Sequence, residues 1–166
     1  MINITSLKLD NKINKFSKND PRLIKSTFLQ AKEYHLASTI LTKQHEANFE
    51  GEKIYLISSS YSLAAFSCEL YLKTILLLYG KDAHGHKLLE LYSKLPEVEK
   101  IKIIKFFEVY DLSQEKFTKE LEDISQAFVV IRYSNELKSI AFNGKFLAYF
   151  LNILFKICKE EINNIK

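Results

Sequence analysis

The stretch IRYSNELK, residues 131–138, gathers Arg132, Tyr133 and Asn135, groups able to hold an anion, beside the acid Glu136. Arg132 is one of two arginines in a chain with 22 lysines. A position that keeps arginine against that bias asks for something lysine lacks, a planar fork of donors that grips a carboxylate or phosphate at two points. A second group is Glu69 and Lys73, four apart within the apolar run YSLAAFSCELYLKTILLLY, residues 61–79. In that order they form a favourable helical ion pair. A carboxylate in such a run also demands a cation if it is buried, because an unpaired buried charge is costly. Arg132 has two readings: it grips Glu69, or it contacts a ligand such as an RNA phosphate. A third group is HGHK, which sets His84 and His86 just ahead of a helical segment. Either is a candidate general base, and His86 can instead bond to backbone or to an acid.

Other chemistries are set aside by what the chain lacks. It has no glycine-rich phosphate loop, no nucleophile elbow and no cysteine pairs at zinc spacing. His84 and His86 lack a third ligand, and His35 and His45 stand ten apart, so neither a metal nor another cofactor is expected. Cys68 and Cys158 lie in apolar helical contexts and read as reduced core residues.

These groups need elements to position them. The chain has 166 residues, 47% hydrophobic and 27% charged, with four glycines and two prolines. That is enough for one domain with a real core, and too few turn formers for a sheet protein. Net charge is +4, which permits nucleic-acid binding without requiring it. Residues 1–18, with four lysines and one aspartate, read as a flexible N-terminal arm, and 19–166 as a single helical domain.

Asp20-Pro21 predicts a helix start, with Leu23, Phe28, Ala31, His35, Ile40 and Ala47 along one stripe to about Phe49, where Gly51 ends it. A second helix is expected from about Lys53 to Tyr79, stopping at Gly80. It is apolar nearly all round at its end and should be central. The charges of Glu69 and Lys73 argue against a membrane span, and the start of the chain has no apolar leader, so a cytoplasmic location is expected. A short helix follows within HKLLELYSKL. Pro96 opens another to about Tyr110, and Asp111 or Ser113 caps one over 114–137. Its Phe117, Leu121, Ile124, Phe128 and Ile131 recur at threes and fours. Asn143-Gly144 opens the last, 144–163, with Phe146, Tyr149, Phe150, Ile153, Leu154 and Ile157 inward. No run alternates convincingly as a strand. The expectation is an all-α bundle of four long helices with one or two short ones.

Three segments of that bundle resemble the HEPN family, small helical domains of prokaryotic defence and toxin–antitoxin systems. They are SCELYLKTILLLYG (67–80), HGHKLLELYSKL (84–95) and AFVVIRYSNEL (127–137). The resemblance implies a homodimer with a cleft at the shared face, an RNA or nucleotide ligand, and a cognate protein partner such as an antitoxin. Ribonuclease members carry an arginine followed, after four to six residues, by a histidine. Arg132 fits the arginine, but Leu137, Lys138 and Ser139 hold the histidine positions. If the chain is a metal-independent endoribonuclease, its base must come from elsewhere, with His86 and His84 beside Arg132 as the catalytic candidates. Arg132, Tyr133, Asn135, Glu136, Glu69 and Lys73 are the candidates for ligand binding. The alternative is a non-catalytic dimeric helical module that binds another protein.

Overall fold

The computed structural model describes residues 20–108, 113–131 (backbone alone beyond Ser125) and 142–163. Six helices and one small hairpin follow in order: α1 Pro21–Gln44, β1 Glu46–Phe49, β2 Glu52–Tyr55, α2 Ile57–Leu78, α3 Leu88–Ser93, α4 Glu97–Glu108, α5 Gln114–Ile131 and α6 Gly144–Asn163. The arm at 1–18 lies outside the described residues.

Helix ends follow local chemistry. Asp20 caps α1, its Oδ1 accepting the Arg22 N–H at 2.8 Å, with Pro21 in the first turn. Asn143 Oδ1 accepts the Phe146 N–H at 3.1 Å and so starts α6. Of the two caps expected for α5, Ser113 accepts the Lys116 N–H, and Asp111 lies outside the described residues.

α2 is buried on nearly every side and packs against α1, α3, α5 and α6. Its contact with α1 runs through small residues, Ala31 and Ser38 facing Ser60, Ala64 and Ser67. The helices come close enough for serine hydroxyls to reach across. Ser67 Oγ donates to the Ala31 carbonyl at 2.8 Å, and Ser60 Oγ to the Ser38 carbonyl at 3.0 Å. Those bonds satisfy hydroxyls that would otherwise be buried unpaired. Two aromatic clusters complete the core. Phe107, Phe117, Phe146 and Phe150 join α4, α5 and α6, and Phe28, Tyr71 and Phe155 join α1, α2 and α6.

Several expectations are corrected. The first helix ends at Gln44 rather than near Phe49, and α2 begins at Ile57 rather than near Lys53. Between them an antiparallel hairpin pairs Glu46 with Tyr55 and Phe49 with Glu52. Its two-residue turn sets Glu50 at φ 51° and Gly51 at φ 85°, the left-handed pair that suits a tight hairpin. Ala47 is half-buried and every other hairpin residue is exposed, so no alternation marked it as strand. The inner face of α1 is Ile24, Ala31 and Ser38, while Ile40 is exposed and Ala47 lies in β1. Tyr149, expected inward on α6, is exposed, whereas Phe146, Phe150, Ile153, Leu154 and Ile157 are buried as expected. Phe117, Leu121 and Ile124 are buried on α5, and Phe128 and Ile131 have no described side chains. Cys68 and Cys158 are free and buried.

α2 is long and apolar enough to cross a membrane by length and composition, yet two-thirds of its most apolar window is buried inside the bundle. Phe117 sits where α4, α5 and α6 meet. We expect Phe117→Ala to cost about 3–5 kcal/mol, read as a lower urea midpoint with little change in slope.

Candidate functional site

The site forms where the chain leaves α2 and turns back past it. Gly80, at φ 64°, ends the helix. The Lys81 N–H bonds the Leu76 carbonyl at 2.8 Å, and the Gly80 N–H bonds the Leu77 carbonyl at 3.0 Å, which closes the exposed end. The loop that follows is stapled from α3's far end. Lys94 Nζ donates to Asp82 Oδ2 at 2.9 Å and to the His84 carbonyl at 2.7 Å. Lys81 Nζ donates in turn to the Lys94 carbonyl at 3.0 Å. Held in this way, the loop carries His86 back to α2.

There His86 Nδ1 lies 3.0 Å from Glu69 Oε1, and Lys73 Nζ lies 2.8 Å from the same oxygen. The three differ sharply in exposure, at 1% for the Glu69 side chain, 19% for Lys73 and 76% for His86. Glu69 Oε2 has no hydrogen-bond partner among the described residues. A buried carboxylate that accepts Nδ1–H fixes the imidazole tautomer and leaves Nε2 with a lone pair on the open side. The ring is thereby oriented as a base, with an ammonium beside it.

Of the residues singled out from sequence, the structure brings together Glu69, Lys73 and His86. His84 does not join them. Its backbone braces the loop, and its side chain is exposed. Arg132, Tyr133, Asn135 and Glu136 lie outside the described residues. The start of α3 meets α5 near Ser125, seven residues before Arg132 in the sequence. Among the described residues, no group of three His, Cys, Asp or Glu side chains is placed to hold a metal.

A second buried carboxylate, Glu99, stands in the first turn of α4, where its position in sequence suggests only an acid suited to the helix N-terminal dipole. Glu99 is fully buried. Its Oε1 accepts from Tyr79 Oη and Lys102 Nζ, each at 2.7 Å, and Lys102 also reaches Glu161 Oε1 at 2.6 Å. Burial and the bond to Glu99 push the Tyr79 hydroxyl up to about 12. For Lys102, burial opposes the charge, but Glu161 and Glu99 outweigh it and hold the ammonium above its usual range. The inner face of α4 is Glu99, Ile103 and Phe107, four apart, with Val98 and Ile101 outside. That spacing was the available signal, masked by the apolar side chains facing out.

A third polar contact lies between α1 and α2, where His35 Nδ1 is 3.2 Å from Tyr71 Oη. Burial lowers the His35 pKa and so favours the neutral ring.

Comparison with protein-family models, curated proteins and solved structures found no match.

Two outcomes are expected. Because the folded His35 binds its proton less readily than the unfolded one, its stabilisation is intact above about pH 6.5 and is lost as pH falls through the lowered folded value. The melting temperature should drop as pH falls below about 6.5, and His35→Gln should flatten that part of the curve. Lys102→Met would leave Glu99 and Glu161 without their shared cation. We expect it to cost about 1–3 kcal/mol, less than the roughly 3–5 of a fully buried pair, because Lys102 is more than a third exposed. Chemical unfolding measures it.

Proposed function

We propose that this chain is a HEPN-like component of a bacterial defence or toxin–antitoxin system that binds RNA or a nucleotide in the cytoplasm. In this reading His86 supplies the base that the Arg132 segment lacks. One observation carries the proposal, the contact between buried Glu69 and exposed His86. A carboxylate set in the most apolar helix of a protein is costly. Here it points a titratable ring toward solvent beside a lysine.

The chemistry follows from that arrangement. His86 Nε2 would take the proton from a ribose 2′-hydroxyl, and the 2′-oxygen would attack the adjacent phosphorus. The bond to the 5′-oxygen breaks, that oxygen takes a proton from solvent, and a 2′,3′-cyclic phosphate remains. Lys73 offers charge to the phosphate. Arg132, with Tyr133, Asn135 and Glu136 close in sequence, supplies the planar donors suited to a phosphodiester. Assembly as a homodimer would double the set around a two-fold axis.

Labelled RNA incubated at low salt in EDTA tests this reading. Wild type should cut it, and His86→Ala should lower the rate by about 10²–10⁴-fold, the usual worth of a general base. Glu69→Gln can turn its amide N–H toward Nδ1, impose the other tautomer and slow cleavage too. Arg132→Ala should weaken binding and flatten its salt dependence. Cleavage unchanged in His86→Ala would sink the catalytic role. RNA left both intact and unbound by wild type would sink the proposal as a whole.

A further inference from the structure

α1 and α6 both pack broadly on α2 but touch each other little, which leaves a groove between them floored by α2. It consists of two depressions, of about 370 and 450 Å³, that share His35 and Thr39. Each has the size of a ligand cleft. One is lined by Leu29, Leu36, Tyr71 and Phe155, and the other by Tyr61, Ala64 and Leu151. On α1, Leu29, Leu36 and Ile40 are 53%, 61% and 50% exposed, large apolar side chains on a helix that has solvent on that side. The charged residues lining the groove are Lys32, Lys43 and Lys145 against one acid, Glu33. From Leu29 to Lys43 the groove runs about 21 Å at helical rise, roughly four turns.

We propose that this groove is a docking site for an acidic amphipathic helix of a partner protein. An apolar floor four turns long accepts leucine-type anchors at spacings of three and four, and the lysine rim selects glutamates and aspartates on the flanks. Charge disfavours two other occupants. Residues 1–18 of this chain carry four lysines against one aspartate. In a two-fold contact between copies, the same lysine-rimmed patch would face itself. The groove is distinct from the Glu69–His86 site and does not rest on the activity proposed for it.

The test uses the full chain and a labelled designed peptide of about 16 residues, with leucines along one helical face and glutamates on the other. One control scrambles the same composition, and a second replaces glutamate with lysine. We expect the acidic helix to bind at least tenfold more tightly than either control. Leu36→Glu, at an exposed position, should weaken it at least tenfold with an unchanged circular dichroism melt. Lys43→Glu with Lys145→Glu should weaken the acidic peptide and strengthen the lysine one. Equal binding of all three peptides, or a Leu36→Glu variant that binds as wild type does, would overturn the proposal. So would a full chain that refuses the peptide and sediments as a dimer split by Leu36→Glu, which would assign the groove to a second copy. Displacement of the peptide by RNA in wild type but not in the lysine variants would assign it to nucleic acid.

Discussion

A helix that is apolar on almost all sides cannot stand at a surface, and α2 is such a helix. The rest of the molecule is arranged to cover it. α1 lies along one side through alanine and serine contacts, α6 along another through aromatic rings, and α3 with α5 close the remainder. Within that dry environment sits Glu69, and its burial dictates the local chemistry. A carboxylate there is tolerable because Lys73 lies one turn away and because the loop after Gly80 returns a histidine to the same oxygen. Remove the burial and His86 is an ordinary surface imidazole. With it, the ring has a fixed edge inward and a free edge outward.

The same physics recurs about 15 Å along the helix axis, ten residues further on, where Tyr79 leads to Glu99. There the buried carboxylate takes Tyr79 from the end of α2 and Lys102 from its own helix, and Lys102 bridges on to Glu161 of α6. Both carboxylates keep one oxygen without a hydrogen-bond partner among the described residues. Their surroundings separate them. Glu69 faces an exposed imidazole at the surface, and Glu99 faces a lysine and a tyrosine whose protons are held tightly. The first arrangement leaves one of its partners open to solvent, while the second fastens α4 to α2 and α6.

Much of this was legible in the chain. Asp20-Pro21, Gly80, Ser113 and Asn143 mark helix ends by local hydrogen bonding, which sequence records directly. The pairing of Glu69 with Lys73 followed from helical spacing, and an acid as partner for His86 was among the readings its position allowed. That this acid is Glu69 depends on how an irregular loop folds back, held by Lys94 through contacts that sequence proximity does not reveal. The hairpin was missed because strand patterning appears when one face is buried, and this hairpin buries neither. Glu99 was missed because its neighbours Val98 and Ile101 are the more apolar residues, yet the packing of Ile103 and Phe107 turns the acid inward. Along α1, Ser38 rather than Ile40 faces the core, because close approach to α2 there favours a small side chain over a bulky one.

The exposed hairpin has a practical use. Its turn at Glu50-Gly51 projects from the bundle, and nothing in the hairpin beyond Ala47 is even half-buried. A fluorophore or affinity handle spliced there would interrupt no helix and displace no core side chain. Among the described residues the hairpin's outer edges pair with no further strand, so such a handle would also block them from a passing extended chain. The molecule thus carries its own attachment point, away from both buried carboxylates.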